Sequence, residues 1–279
     1  MEAECKISVL LSVYNPGNRQ HFLQAVQSIV NQTFRDWEMI LYDDGSEESY
    51  IAGIREAAAA DSRIRYFRGE ENMGLAQTMN ICSGLAGGKY LARMDADDIS
   101  KPDRLQQMYD FLENHPEYGW VGCNAELIGE DGIWGSRMMP EAPERKDFLH
   151  YSPYIHPSVL FRREALTVNG GYRPMRRGED YELFMRLHAA GVRGYNLQEF
   201  LFQYREDADT YRHRKYRYQI EEVRIRKEGF ARLGILNIRT WPCVLKPLTV
   251  GLIPYRRLHV NKPRVMKETQ LERLTENKA

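Results

Sequence analysis

The chain has 279 residues, of which 43% are hydrophobic and 28% are charged, and its 39 basic residues balance its 39 acidic ones. This composition is typical of a globular protein that buries a substantial core, and it excludes long disordered segments. The four cysteines lie far apart with no C-x-x-C pair, so the sequence supports neither a zinc site nor a disulfide framework.

The first residues, MEAECKISVL, carry acidic side chains where a secretion signal requires basic ones followed by a longer apolar run. Elsewhere no uninterrupted apolar segment approaches the ~18–20 residues that are needed to span a bilayer. We therefore expect a cytoplasmic protein.

Strands and helices alternate through the first hundred residues. Apolar, β-branched runs predict strands, and apolar residues at helical spacing predict the helices between them. The predicted strands are KISVLLSVY, WEMILY, IRYF and YLARM, and the helices cover about 22–32, 51–58 and 75–85. This order predicts an α/β fold with a mostly parallel open sheet and flanking helices. Ligands of such sheets bind beyond the carboxyl ends of the strands.

The pattern changes after Pro102. A helix is predicted to about Asn114, and it is followed by the short strands WVGCNAELI, IWGSRM and IHPSVLF. The segment GEDYELFMRLHAAG predicts a helix that ends at Gly191.

A basic, helical extension is predicted at the end of the chain. Residues 201–279 hold 18 Lys and Arg against 9 Asp and Glu, whereas the first 200 residues hold 21 against 30. A helix is expected over 211–233, and a proline-interrupted apolar run follows at 241–255. This run would either lie in a membrane interface or close over the domain as a lid.

Three carboxylates, Asp95, Asp97 and Asp98, follow the fourth predicted strand within four positions. Such a cluster is a solvated turn, an acidic helix start, or a site for a hard cation with oxygen ligands. The D-x-D spacing places two like charges on one face of an extended segment, which a divalent ion would neutralise. Because Mg²⁺ is commonly held by one or two carboxylates plus substrate phosphates, the spacing suits a metal–diphosphate clamp.

Two further strand ends carry candidate binding residues. Tyr14 offers a ring face for a nucleobase, although a core position is an equal alternative. Asp44 could accept a base N–H, or it could be a turn residue before Gly45. Neither a G-x-x-x-x-G-K-[ST] loop nor a G-x-G-x-x-G loop occurs, so P-loop and dinucleotide-binding classes have no motif support.

Seven strings in fixed order resemble the family-2 glycosyltransferases, which have the GT-A fold. They are ISVLLSVYN, SIVNQTFRDWEMILYDDGS, ENMGLAQTMN, KYLARMDADD, IHPSVLFRREAL, GGYR and GEDYELFMRL, and they cover roughly residues 6–205. The tail is similar to bacterial exopolysaccharide and O-antigen transferases. The resemblance implies a transferase domain over 1–205 with a nucleotide-binding half at about 1–100 and an acceptor half at about 101–205, followed by an extension over 206–279.

The resemblance also implies how the nucleotide is bound. Ser12 and Tyr14 match residues that contact a uracil-type base, and Asp44 matches the acid that pairs with its N3–H. Asp97 matches the direct ligand of Mg²⁺ or Mn²⁺, and Asp95 matches a position between the ribose and the metal.

At three other positions the expectation includes an alternative role or no chemical role at all. Asp180 in GED matches the catalytic base, with a plain helix-start residue as the alternative. His156 matches a histidine near the diphosphate that could bind metal or simply pack. Asp98 matches no chemical role and is expected to cap the following helix.

The implied function is metal-dependent, inverting transfer of a sugar from a UDP-type nucleotide sugar to a glycan acceptor. The acceptor can be lipid-linked, with peripheral membrane contact through the basic tail at the inner face of the plasma membrane, and nucleic acid is not an expected partner. A sugar-nucleotidyl transferase is an alternative, but NPGNRQH is a poor version of its triphosphate loop. A non-catalytic nucleotide-sugar-binding regulator is another, although neither the D-x-D nor the candidate base is broken.

Overall fold

The computed structural model describes residues 5–206 and 216–251, and in the second range it describes the side chains of residues 218–249. Within these ranges the strands are β1 Ile7–Val13, β2 Trp37–Asp43, β3 Ile64–Arg68, β4 Tyr90–Met94, β5 Ile99–Ser100, β6 Tyr118–Gly129, β7 Gly132–Arg137, β8 Leu160–Arg162 and β9 Arg193–Arg205. The helices are α1 Arg19–Val30, α2 Glu48–Ala58, α3 Leu75–Leu85, α4 Arg104–Asn114, α5 Arg163–Thr167, α6 Glu179–Ala189, α7 Tyr216–Leu233 and α8 Trp241–Gly251.

The described strands form one sheet in the order β3-β2-β1-β4-β8-β6-β9-β5, with β7 paired to β6 at its side. The pairs that join β1 to β2, β1 to β4 and β2 to β3 are all parallel, as the alternation of strands and helices predicts. The second half is mixed, because β8 runs antiparallel to both β4 and β6, whereas β9 runs parallel to β6. The predicted α/β class is confirmed.

The side chains of β1 alternate between two hydrophobic cores, one on each face of the sheet. Val9 and Leu11 pack with Phe22 of α1 on one face, and Leu10 lies on the other. This period of two is the geometric property of a strand buried on both faces. The second core also contains Phe230 of α7 and Val244 of α8, so the described part of the extension shares a core with the predicted transferase domain.

One predicted strand differs from the structure, and one long strand was missed. The segment predicted as one strand, IHPSVLF, begins as a 3-10 turn at His156–Ser158, and only Leu160–Arg162 is a strand. Strand β9 was not predicted at all, because its pairing with β6 shifts register repeatedly and its sequence lacks clean alternation.

The extension is described in part. Helix α7 ends at Leu233 as predicted, and α8 occupies most of the apolar run, with Trp241 and Leu245 exposed. No described helix combines the length and apolarity needed to cross a bilayer. The basic tail that is expected to contact the membrane includes five cations that lie outside the described residues, namely Arg212, Arg214, Lys215, Arg256 and Arg257.

Candidate active site

The loops that follow β1, β2 and β4 meet at one edge of the sheet. In the parallel register Val13 pairs with Asp43, and Leu11 pairs with both Leu41 and Met94. The residues just beyond these ends are Tyr14, Asp44 and Asp95, so the structure brings the predicted nucleotide-binding positions to the same edge.

Asp44 is buried and anchors the loop that precedes α3. One of its carboxylate oxygens accepts the Met73 amide at 3.0 Å, and the other accepts the Gly74 amide at 2.9 Å. Removal from water raises the pKa of this carboxyl, although the two amide donors oppose the shift. Because a carboxylate has about four acceptor positions, Asp44 retains capacity for one more donor, such as a base N–H.

The turn after β2 is held tightly against its neighbours. Gly45 has φ +74°, and a Cβ there would lie 2.6 Å from the Glu71 backbone, so only glycine permits this close approach. On the other side, Asn15 donates its amide to Ser46 Oγ at 2.9 Å and accepts the Glu47 amide at 2.8 Å. These contacts join the loops that follow β1, β2 and β3 into one wall of the site.

A first cavity of about 480 Å³ lies against this wall and includes Ser12, Tyr14, Asp95, Asp97 and Arg205 in its lining. The Tyr14 residue is 49% exposed, which excludes the alternative that it is a core aromatic. Asp44 is not among the residues that line this cavity.

The three acidic residues after β4 form a compact cluster. Oxygen atoms of Asp95, Asp97 and Asp98 all lie within 4.8 Å of one another. Arg93 donates a hydrogen bond to Asp95. Asp97 is exposed toward the cavity, yet partial desolvation and then the negative charge of Asp95 raise its pKa to about 6. A divalent cation would offset this repulsion.

Asp98 does not cap the following helix, so that expectation is wrong. Its Oδ1 accepts the Arg205 amide at the end of β9 at 2.7 Å. Its Oδ2 is buried and has no hydrogen-bond partner among the described residues. An unpartnered buried carboxylate oxygen beside two other carboxylates fits a hard cation with oxygen ligands.

A second cavity, of about 710 Å³, adjoins the first at Asp95. Its lining includes Arg93, His156, Glu179 and Asp180, so the cluster that follows β4 and the start of α6 face the same space. Desolvation raises the pKa of Asp180, and desolvation together with the Asp180 charge raises that of Glu179. Carboxylates with raised pKa values in a cleft are typical of acid–base sites.

His156 is buried in the wall of the second cavity. Its Nε2 lies 2.7 Å from the Tyr172 hydroxyl, and burial followed by the nearby Arg93 charge lowers its pKa well below the usual value. The imidazole is therefore neutral at physiological pH. It is not part of the compact carboxylate cluster.

The glycine of GED permits a close approach between the start of α6 and α7. Gly178 has φ +75°, and a Cβ at this position would lie 3.0 Å from Ile225 Cδ1. The backbone just before Glu179 and Asp180 therefore packs against a helix of the extension.

We expect Gly178→Ala to lower the free energy of unfolding by about 1–2 kcal/mol, because a left-handed backbone costs this much in a residue with a Cβ. Thermal unfolding should show a fall of about 2–4 °C per kcal/mol. Gly84→Ala is the control, since Gly84 lies in α3 with no atom within 4 Å of the new Cβ and with no positive φ. That change should leave stability equal or higher. Equal stability of both variants would contradict this explanation.

Sequence reasoning missed four contributors to the site. Arg93 was hidden inside a strand pattern, and Arg205 ends the strand that was not predicted. Glu179 was read only as part of a helix start, and the free oxygen of Asp98 depends on packing. The sequence signal that could have found Asp98 was the third acid in DADD.

Comparison with known proteins identifies the family. The model of glycosyl transferase family 2 matches residues 8–178, which is more than half of the chain. The chain therefore belongs to glycosyltransferase family 2, and it is a glycosyltransferase with the GT-A fold. Its acidic triad is compatible with the D-x-D motif.

Two relatives are informative. A putative glycosyltransferase of Bacillus subtilis, EpsE, is 34% identical over 275 residues, which cover 97% of this chain and 98% of the relative. An Escherichia coli protein named UDP-Gal:alpha-D-GlcNAc-diphosphoundecaprenol beta-1,3-galactosyltransferase is 28% identical, covering 78% of this chain and 81% of the relative.

Among solved structures, a mannosyltransferase from Pyrobaculum calidifontis in complex with GDP-Man and Mn²⁺ superposes with a TM-score of 0.63. The match covers 93% of this chain and 79% of the other at 16% identity. At this identity the likeness concerns the fold alone.

Proposed function

We propose that this glycosyltransferase moves a sugar from a UDP-type nucleotide sugar to a glycan acceptor, with inversion and with the help of Mg²⁺ or Mn²⁺. The pathway would be exopolysaccharide, capsule or O-antigen synthesis. One observation carries the proposal: Asp95 lines both the first cavity, which contains Asp97 and Tyr14, and the second, which contains Asp180. A nucleotide diphosphate in the first cavity would extend its sugar toward a carboxylate in the second.

The first cavity would hold the nucleotide. Tyr14 presents an exposed ring for stacking on the base, and Ser12 lies beside it in the lining. Asp44, with its remaining acceptor capacity, would take the base N3–H from behind this cavity. A uracil presents that donor, and the E. coli relative is named for a UDP-sugar donor.

Asp97 and Asp95 would hold the divalent cation, and the free oxygen of Asp98 is available as a third ligand. When bound, the cation stabilises the negative charge that develops on the leaving diphosphate. Arg93 orients Asp95 through their hydrogen bond. His156 is neutral and hydrogen-bonded to the Tyr172 hydroxyl, so it would contact the diphosphate side of the donor or position that tyrosine. Its place outside the carboxylate cluster argues against a direct bond to the metal.

Asp180 would be the general base. An acceptor hydroxyl is a poor nucleophile until a carboxylate takes its proton during attack. Asp180 lines the second cavity beside Glu179, and desolvation raises its pKa toward the range in which a carboxylate is an effective base. One in-line displacement on the anomeric carbon inverts its configuration.

The extension from residue 206 would serve the acceptor, while residues 1–205 would carry the donor and the chemistry. Peripheral membrane contact is supported by the exposed Trp241 and Leu245 of α8, which flank an apolar stretch near the exposed cation Lys246. A lipid-linked acceptor is supported by the name of the E. coli relative.

A hydrolysis screen of nucleotide sugars without acceptor tests the proposal. We expect slow release of UDP from at least one UDP-sugar in the presence of Mn²⁺ or Mg²⁺, and loss of that release after chelation with EDTA. A preference for GDP-sugars would contradict the proposed UDP-type donor. An unchanged rate of hydrolysis after chelation would contradict the proposed metal dependence.

The same assay separates the alternatives. Release of diphosphate from UTP and a sugar 1-phosphate would support a sugar-nucleotidyl transferase. Nucleotide-sugar binding with neither hydrolysis nor transfer would support a regulator.

A further inference from the structure

A third cavity, of about 480 Å³, adjoins the second one at Tyr151, Ser152 and Asp180. It shares no lining residue with the first cavity. The candidate base therefore lies at the boundary between the second and third cavities, on a continuous path from the nucleotide-binding wall to the helices of the extension.

The extension builds much of the third cavity. Arg226 of α7 is only 5% exposed. It donates to the carbonyls of Leu149 at 3.0 Å and His150 at 3.2 Å, and to that of Cys243 in α8 at 3.3 Å. Its charge is balanced by Glu222 at 2.8 Å. Arg226 is thus a positioning residue that fixes α7, α8 and the loop before residue 151 around the cavity.

Two further cations in the lining of the third cavity are not paired with a described carboxylate as Arg226 is. Arg177 and Lys246 are both exposed, and neither forms an ion pair with a carboxylate within the described ranges. The Arg177 guanidinium lies 4.6 Å from the centre of the Tyr218 ring, which leaves its N–H edge available to a ligand. With Arg226 and Glu222 neutralising each other, the lining beyond Asp180 has a positive surplus.

The cavity also presents tyrosine rings. Tyr151, Tyr181 and Tyr218 all belong to the lining. Such rings combine an apolar face with a polar hydroxyl, which suits a sugar ring that has both kinds of surface. Aromatic walls together with unpaired cations fit a carbohydrate that carries an anionic group, and they fit a neutral glycan less well.

We propose that the third cavity is the acceptor site and that it takes a sugar linked to a phosphate or diphosphate, with Arg177 and Lys246 binding the phosphoryl oxygens. This inference rests on the proposed function. In the transfer step the acceptor oxygen bonds to the donor's anomeric carbon, the bond from that carbon to the diphosphate breaks, and the acceptor proton passes to Asp180. The phosphate of the acceptor would remain on the side of the base opposite to the donor diphosphate.

Binding of farnesyl diphosphate to the full chain saturated with UDP and Mn²⁺ tests the site by calorimetry, because the first cavity is then blocked. We expect Lys246→Ala and Arg177→Ala each to weaken this binding about tenfold, the effect of losing one charge-assisted hydrogen bond. Lys246→Arg should retain most of the affinity. The matched control is Lys227→Ala, an exposed cation of α7 that does not line the cavity.

Inorganic diphosphate and farnesol are the comparison probes. Equal affinity for inorganic and farnesyl diphosphate would show that the phosphates alone are recognised. Tighter binding of farnesyl diphosphate would show that the lipid chain is recognised as well. Both results support the site. The proposed site is wrong if farnesol binds as tightly as farnesyl diphosphate. It is also wrong if neither alanine change weakens the binding of diphosphate. If UDP binding and donor hydrolysis persist in that case, only the acceptor site is wrong; if they are absent from the unaltered protein, the proposed function itself fails.

Discussion

Asp180→Asn should lower the turnover number for sugar transfer by 10²–10⁴-fold while donor binding remains nearly intact. Loss of a general base typically costs about this factor, which corresponds to roughly 3–5 kcal/mol at ~1.4 kcal/mol per tenfold. Asparagine keeps the size and hydrogen-bonding capacity of the side chain but cannot take the acceptor proton. Transfer kinetics at saturating donor, with UDP affinity measured in parallel, distinguish lost chemistry from lost binding.

Asp103→Asn is the matched control, because Asp103 stands at the amino-terminal end of α4 and makes no side-chain capping bond to that helix. It should retain full turnover. If Asp180 were only a favourable charge at a helix start, Asp180→Asn would cost about 1 kcal/mol of stability or less and leave turnover unchanged. Wild-type turnover in that variant would therefore refute the catalytic role.

The pH dependence of turnover gives a second readout of the same residue. Desolvation raises the pKa of Asp180, so its basic form should be lost at a higher pH than that of a solvent-exposed aspartate. Turnover should fall as the pH decreases through this raised pKa. The residual activity of Asp180→Asn should lack this acid limb.

Asp97→Asn should abolish the metal dependence of UDP binding and lower transfer by at least about a hundredfold, since a metal clamp supplies several kcal/mol of charge stabilisation in the transition state. The substitution removes one charge from a cluster whose oxygens lie within 4.8 Å of one another. Titration of UDP with and without Mn²⁺, for both the native protein and the variant, measures the coupling directly.

The neutral asparagine separates two effects. Removal of the metal should weaken UDP binding less in the variant than in the native protein. The variant has one carboxylate charge fewer to repel the diphosphate of UDP. Asp110→Asn, an exposed change on α4, should leave the metal dependence intact. Undiminished strengthening of UDP binding by Mn²⁺ in Asp97→Asn would show that Asp97 is not a ligand.

Local patterns in the sequence were sufficient for the first half of the sheet and for the positions of the acids. Strand β1 alternates between two cores, and alternating strands and helices indicate a parallel sheet, so the strand ends at Tyr14, Asp44 and Asp95 could be expected at one edge. The family followed from the order of the motifs. Each of these strands, helices and motifs is a pattern of residues that are close together in the chain.

The tertiary structure decided what depends on distant contacts. The hydrogen bond from the Arg205 amide to Asp98 joins residues 107 positions apart, through a strand whose shifting register hid it from any periodic pattern. Because of this hydrogen bond, Asp98 lies in the carboxylate cluster and does not cap α4. In the same way, Arg226 reaches back 77 positions to Leu149, and this contact forms the third cavity beside Asp180. Periodicity reports which face of an element is buried, whereas a cavity exists only where separate elements pack together.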